Sequence, residues 1–275
     1  MKFEVGVIQK DSWEYFEQFI TEDGRNNGDI KLGLTSEGAA CGAIAGHFAG
    51  DTLFKVDSIY VACEARDQGG GTLLVESLLD QLHENDPTIA VKFEFLEMDA
   101  DTEALYDFLL GKGFVEGESG KYVYIFSIED FSEDKGFITG GDSDSFVSFE
   151  NASKKELLEL DKRCSDSGYT ESVFGSFPGS IDMHSSIILK NKGRNVSFIA
   201  AEWVSDTVCM LNGFRIPGGK VDRFKNAMAT VINRLEEKAD HDTQILIRVT
   251  DDFERKALEG IFPEAENLYH NFVIV

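Results

Sequence analysis

One stretch restricts the fold more than any other: Val56 to Leu82, VDSIYVACEARDQGGGTLLVESLLDQL. Val56 to Val61 is a β-branched and aromatic run and predicts a strand. Glu64 to Gly71 is a charged loop that closes on three consecutive glycines. Thr72 to Leu82 places Leu73, Leu74, Leu78, Leu79 and Leu82 on one face of an amphipathic helix. A glycine-rich loop between a strand and a helix lets bare backbone N–H groups point at an anion. The first helical turn adds unpaired N–H groups and the positive end of its dipole, which suits a phosphate. The alternative for three glycines is a flexible turn.

The rest of the first half alternates in type. Lys2 to Gln9 reads as a strand. Asp11-Ser12-Trp13-Glu14 has the form of a capping box and predicts a helix to about Glu22, burying Trp13, Phe16, Phe19 and Ile20. Gly24 to Gly28, with its asparagines, breaks it. Asp29 to Leu34 and Ala39 to Phe48 read as strands joined by a turn at Ser36-Glu37-Gly38. Gly42 and Gly46 inside the second mark a bulge or a close backbone approach. Lys55 to Val61 is a strand, Ile89 to Leu96 a strand, Thr102 to Gly111 a helix and Tyr122 to Ile128 a strand.

The second half repeats the first. Asp130 to Ser145 is rich in Gly, Asp and Ser and reads as a linker. Phe146 to Phe149 is a strand, and Ser153-Lys154-Lys155-Glu156 a capping box opening a helix. Ser185 to Lys190 and Val196 to Trp203 are strands. Ala200-Ala201-Glu202-Trp203, a break, and Val208 to Ile216 parallel Ala45-Gly46-His47-Phe48, a break, and Leu53 to Val61. A helix through Phe224 to Leu235, a strand Gln244 to Val249, a helix Phe253 to Phe262 and a strand Tyr269 to Val275 follow. A repeat of domain length implies tandem copies of one fold. The expected division is 1–130, a linker 131–145, and 146–275.

Arg66-Asp67-Gln68-Gly69-Gly70-Gly71, in its strand–loop–helix setting, resembles the Arg/Gln-x-x-Gly-x-Gly/Ala signature of the GNAT acetyltransferases. The later strand and the helix ending in Gly113-Phe114 extend the resemblance over roughly residues 1–130. It implies two tandem GNAT-like α/β domains, each a mixed sheet flanked by helices. It also implies acetyl-coenzyme A as cosubstrate and acetyl transfer to a primary amine, with no metal. In that family the strand ending at Tyr60-Val61 splays from its neighbour and holds the pantetheine arm and thioester through its main chain. The loop residues Arg66, Gln68, Gly69, Gly70, Gly71 and Thr72 would hold the pyrophosphate. The second copy has Pro217-Gly218-Gly219-Lys220 at the loop position and lacks the signature, which implies a degenerate domain that shapes the cleft or supports a homodimer.

Two residues carry the expected chemistry. Asp57 lies four residues before Val61, on the same strand face, where related enzymes often place a glutamate near the amine; a solvated carboxylate or a salt bridge with Lys55 is the alternative. The family's acid is a tyrosine four residues ahead of the Gly-Phe glycine. Counting from Gly113 gives Leu109, so Tyr106, one turn earlier, is the substitute, and packing against the sheet is its alternative. His47 ends a strand and Glu202 holds the matching place; either faces substrate or is structural. His83, His184, His241 and His270 suggest no shared site.

Composition narrows the partners. The 275 residues carry a net charge of −24, which argues against nucleic acid and suits a cationic acceptor or plain solubility. Cys41, Cys63, Cys164 and Cys209 form no CxxC pair, so no zinc site is expected. No apolar run approaches a membrane span and no signal peptide is seen, so a cytoplasmic chain is expected. Two other readings stay open: a non-catalytic acyl-coenzyme A binding or regulatory protein, and a scaffold that binds no coenzyme A.

Overall fold

The computed structural model describes residues 2–117, 120–131, 137, 146–166, 180–212, 221–240, 242–249 and 252–275. The first elements are β1 (Phe3–Val7), α1 (Trp13–Phe16), α2 (Glu22–Asn27), β2 (Ile30–Ser36), β3 (Ala39–Phe48) and β4 (Leu53–Val61). Then come α3 (Gly70–His83), β5 (Ala90–Leu96), α4 (Ala100–Gly111) and the short β6 (Val115–Glu116). The remainder is β7 (Tyr122–Ser127), β8 (Phe146–Ser148), α5 (Lys154–Asp166), β9 (Ile187–Asn191), β10 (Arg194–Ser205), β11 (Val208–Asn212), α6 (Val221–Glu236), β12 (Gln244–Val249), α7 (Asp252–Ile261) and β13 (Tyr269–Ile274). No helix among the described residues is long and apolar enough to cross a membrane.

Two mixed sheets result, ordered β1-β2-β3-β4-β5-β13-β6 and β7-β12-β11-β10-β9-β8. The alternation of β3 shows how the first sheet fills both sides. Ile44 joins Leu34, Phe54, Val56, Leu74, Leu78 and Leu82 in the core under α3. Ala43 and Ala45 point the other way, onto Phe16 and Ile20. In the second sheet Ile199, Leu211, Ile245 and Ile247 pack on Phe224, Met228, Val231 and Leu235 of α6.

The helix expected from Asp11 to Glu22 is broken instead. Ser12 takes the N-cap position of α1, but its hydroxyl bonds to Gln9 and not to the helix, so the anticipated capping box does not form. A 3₁₀ turn, Glu17–Phe19, follows, and α2 starts afresh, running through the Gly24 segment that was expected to end it. Thr21 explains the restart: its hydroxyl accepts the Gly24 N–H at 3.3 Å. Arg25 then donates to the carbonyls of Ile20 (3.0 Å) and Glu17 (2.8 Å), tying the second helix to the end of the first. The capping box at Ser153 does form, with Ser153 N donating to Glu156 at 2.9 Å and Glu156 N to the Ser153 hydroxyl at 3.2 Å.

The strands that close the two sheets are exchanged relative to the contiguous division. One compact unit comprises Met1–Ser119 with His270–Val275, the other Gly120–Tyr269. β7, expected in the first domain, pairs antiparallel with β12 from Gln244↔Ser127 to Val249↔Tyr122. β13, expected in the second, pairs with β6 at Phe272↔Glu116 and Val273↔Val115. Both strands are apolar and aromatic, so either suits an antiparallel ladder. Burial follows the pairing: Tyr124 and Phe126 lie in the core of the second unit, Phe272 in that of the first. Of the expected 131–145 linker, 132–136 and 138–145 lie outside the described residues; Phe137 is buried against Phe131 and Phe262.

Candidate active site

β4 and β5 run parallel, and their pairing covers Leu53↔Ala90, Phe54↔Val91, Lys55↔Lys92 and Val56↔Phe93, then stops. β4 nevertheless continues to Val61 and β5 to Leu96. Beyond Val56 the two strands diverge and leave an opening with main-chain groups on its edge. At the same point the ladder to β3 slips: Gly46 pairs with Val56 and Ala45 with Ser58, so Asp57 is the extra residue of a bulge. Gly46 was expected to mark such a place, and a Cβ there would run into the Lys55 carbonyl.

The bulge also corrects the expected facing of Asp57. Ile59 and Val61 pack toward the α3 core. The side chain of Asp57 instead meets His47, Oδ2 to Nδ1 at 2.7 Å, on the other side of the sheet. Asp57 is 6% exposed and His47 29%. The anticipated Lys55 partner is engaged elsewhere: Lys55 (3.1 Å) and Lys92 (2.6 Å) both hold Glu94. Burial alone would raise the Glu94 carboxyl; the two lysines override it and hold it at about 2. Ser58, next along β4, is buried, and its hydroxyl has no partner among the described residues.

The loop after β4 opens with a 3₁₀ turn, Cys63–Ala65, and passes through Asp67 and Gly69 at φ 56° and 91°. Gly69 is the N-cap of α3 and offers no side-chain cap, so it gives the first-turn N–H groups of Gly70, Gly71 and Thr72 no side-chain acceptor. Gly70 is the crowded glycine: a Cβ there would lie 2.8 Å from Leu34 and 3.2 Å from the Ala65 carbonyl. Gly71 has ordinary room, 3.6 Å from Phe108. Gln68 donates to the Glu64 carbonyl at 2.7 Å.

Arg66 is held within the loop's own surroundings. Its Nε donates to the Val61 carbonyl at 2.9 Å, and its two terminal nitrogens bond both oxygens of Asp101 in the first turn of α4. The hydrogen bond to Asp101 raises the arginine above its ordinary value. Its guanidinium also lies 5.5 Å from the ring centre of Tyr60, which stacks on Phe19 at 5.7 Å. Asp101 was not anticipated; its place two residues after Asp99, whose side chain caps α4 through Thr102 at 2.9 Å, is the signal for it.

Tyr106 lies elsewhere, against the last strand. Its hydroxyl donates to Glu116 at 3.2 Å, and its ring meets His270 and Phe272 edge-on at 4.7 and 5.1 Å. His270, read as isolated, sits between Glu116 (2.8 Å) and Glu97 (3.1 Å). Burial and then the Glu116 charge raise the Tyr106 phenol. Leu109, the position counted back from Gly113, is fully buried.

Against known proteins, no family profile and no curated sequence matches the chain. Solved structures do. A tandem GNAT protein from the clavulanic acid biosynthesis pathway superposes with TM-score 0.59 at 10% identity, covering 99% of this chain and 98% of its own. The chain carries a tandem GNAT fold. A glucosamine N-acetyltransferase region of a fungal multi-domain β-N-acetylglucosaminidase gives TM-score 0.54 at 12% identity, covering 99% and 38%. A conserved protein of Enterococcus faecalis V583 gives 0.51 at 11% identity, covering 100% and 72%.

The second GNAT copy keeps the strand register and changes the chemistry. Glu202↔Met210 and Trp203↔Cys209 repeat His47↔Lys55 and Phe48↔Phe54. Its ladder runs on unbroken to Ala200↔Asn212, so Asn212 takes the place of Asp57 without a bulge. Asn212 Nδ2 donates to Glu202 at 3.3 Å, an amide and a carboxylate where the first copy has a carboxylate and an imidazole. Pro217 to Lys220 lie outside the described residues.

Proposed function

We propose that this chain is an acetyl-coenzyme A-dependent N-acetyltransferase whose acceptor is the primary amine of a small or peptide-borne cationic molecule. One observation carries the reading: β4 loses its parallel partner at Val56 and, nine residues after its end at Val61, the uncapped first turn of α3 begins at Gly70. A strand edge suits the amides of a pantetheine arm, and the α3 turn suits a pyrophosphate. Gly69, Gly70, Gly71 and Thr72 would hold the phosphates through their N–H groups, with Gln68 beside them. Tyr60 and Val61 would meet the arm through main chain. Arg66 would turn from Asp101 to the phosphates. The bound cosubstrate supplies an activated acetyl thioester. The net charge of −24 suits an ammonium acceptor.

A non-catalytic acyl-coenzyme A binder is the second reading. It is favoured by the internal engagement of Arg66 and the Val61 carbonyl, and by a buried leucine where the family places its acid. Calorimetry with acetyl-coenzyme A, followed by thiol release across a panel of amines, separates the two. The expected result is one site per chain and acceptor-dependent thiol release. Binding with no release across polyamines, aminoglycosides and basic peptides supports the second reading, and no binding removes both.

A further inference from the structure

We infer that His47 is the group that takes the proton from the acceptor's ammonium, and that Asp57 is a positioning residue that keeps His47 able to do so. The inference rests on the acetyltransferase reading. It assigns the base to the histidine of the pair and not to the carboxylate.

Geometry and exposure divide the two roles. Asp57 is withdrawn, 6% exposed, while His47 keeps 29% of its side chain accessible. An ionised carboxylate only accepts hydrogen bonds, so the 2.7 Å contact requires Nδ1 of His47 to carry the proton. Nε2 is then the unprotonated nitrogen, with no protein partner among the described residues. A carboxylate that fixes the tautomer of an imidazole also stabilises the imidazolium that forms when Nε2 gains a proton. The Asp57 carboxyl is the poorer acceptor for a proton arriving from solvent, because little of it is exposed and Oδ2 is bonded to His47.

The surroundings are arranged for this pair. The bulge places Asp57 where the β4–β5 pairing has just ended, at the root of the opening. Thr21, the N-cap of α2, donates its hydroxyl to the Asp57 carbonyl at 3.4 Å, tying the bulge to the helix that follows α1. Lys55 stands across from His47 in register and is the obvious competitor for Asp57, yet it is bonded to Glu94 together with Lys92. Both lysines are taken up by Glu94, and Asp57 is left to His47. The second copy, with Glu202 and Asn212, has no imidazole and no paired base at this position.

The step balances as follows. One ammonium proton passes to Nε2 of His47, directly or through water, and later to solvent. The freed nitrogen lone pair forms the N–C bond to the thioester carbonyl carbon. The C–S bond breaks with its electron pair on sulfur, and the second nitrogen proton ends on that sulfur through water. The products are the acetamide, the free thiol and one released proton.

The test begins with the wild-type chain. Long-range ¹⁵N–¹H spectra of the imidazoles should show His47 in the Nδ1–H tautomer, and Asp57→Asn should convert it to a mixture or to Nε2–H. An Nε2–H tautomer in the wild type overturns the inference outright. For kinetics the probes are acetyl-coenzyme A and the amine of the panel with the fastest thiol release. His47→Gln should lower kcat by about 10²–10⁴-fold with unchanged acetyl-coenzyme A affinity. Asp57→Asn should lower kcat less. A His47→Gln rate within about threefold of wild type, with Asp57→Asn strongly impaired, would return the base to Asp57. Failure of the wild type to bind acetyl-coenzyme A removes the acetyltransferase reading as well, so the two failures are told apart.

Discussion

The parallel pair β4–β5 and its counterpart β11–β12 occupy equivalent places in the two units, with four residue pairs each, and the copies differ instead across the antiparallel neighbour. In the first unit four residue pairs form and β4 then runs on to Val61 paired with β3 and not with β5. Five residues without a β5 partner leave about 16 Å of edge on that side, since a strand rises about 3.3 Å per residue. In the second unit Val208 to Leu211 are all paired with Gln244 to Ile247, and the described strand stops at Asn212. Across the antiparallel neighbour β3–β4 takes in Asp57 as an extra residue, whereas β10–β11 runs through Asn212 without one. Duplication has left one sheet with a bulged carboxylate beside an imidazole and the second with an amide beside a carboxylate.

The largest effect should come from the exchanged strands, which decide what belongs to each copy. Phe272 is fully buried in the core of the first unit although it lies near the chain's end. Phe272→Ala should cost about 3–5 kcal/mol, as large-to-small core changes do. Hydrogen exchange should show the loss in α3, β4 and β5, not in β11 and β12. Protection lost from β11 and β12 instead would break the exchange. Phe126→Ala is the mirror experiment and should loosen the second unit.

Next in size is the loop. Gly70→Val places a branched side chain against Leu34 and the Ala65 carbonyl, at 2.8 and 3.2 Å from the Cβ alone. The turn must move, and coenzyme A affinity should fall about 100-fold, on the order of 2.7 kcal/mol. Gly71→Ala, with 3.6 Å to Phe108, should cost far less, and calorimetry on both variants ranks them.

A smaller change tests whether Arg66 is held in reserve. Asp101→Asn removes the carboxylate that binds its guanidinium, at side-chain exposures of 32% and 60%. A pair this exposed contributes about 0.2–1 kcal/mol to stability, so melting should barely shift. Coenzyme A should bind a few-fold more tightly at low salt, because the arginine no longer has to leave a partner. Weaker binding in Asp101→Asn would mean that Asp101 itself serves the ligand.

How much of this was legible follows from range. The strand–loop–helix of residues 56–82 was readable because its signals are local: apolar period, glycine run, helix face. The copy-to-copy match of Ala200-Ala201-Glu202-Trp203 to Ala45-Gly46-His47-Phe48 was readable too, and the strand register confirms it. The strand exchange was not, because Tyr122 to Ser127 and Tyr269 to Ile274 carry the same kind of pattern and nothing in either says which sheet it closes. Nor was the His47–Asp57 pair. A two-residue period puts Asp57 with Ile59 and Val61, and only the bulge moves it to the histidine.

Tyr106 separates a catalytic reading from a packing one with the smallest expected effect. Its hydroxyl is committed to Glu116, and burial with that carboxylate raises its pKa, which makes it a weaker acid than an ordinary phenol. A donor to a leaving thiolate should have the opposite shift. The ring, by contrast, packs edge-on against His270 and Phe272. Tyr106→Phe keeps the ring and removes one partly exposed hydrogen bond, so stability should fall by about 1 kcal/mol or less. Single-turnover rates should stay within about threefold, since a lost general acid would cost about 10²–10⁴-fold. Leu109→Tyr does not rescue a missing acid, because Leu109 is wholly buried and a phenol there overpacks the core. A drop of tenfold or more in Tyr106→Phe, at unchanged melting temperature, would make the exchanged strand part of the chemistry, since it is β13 that holds the tyrosine in place.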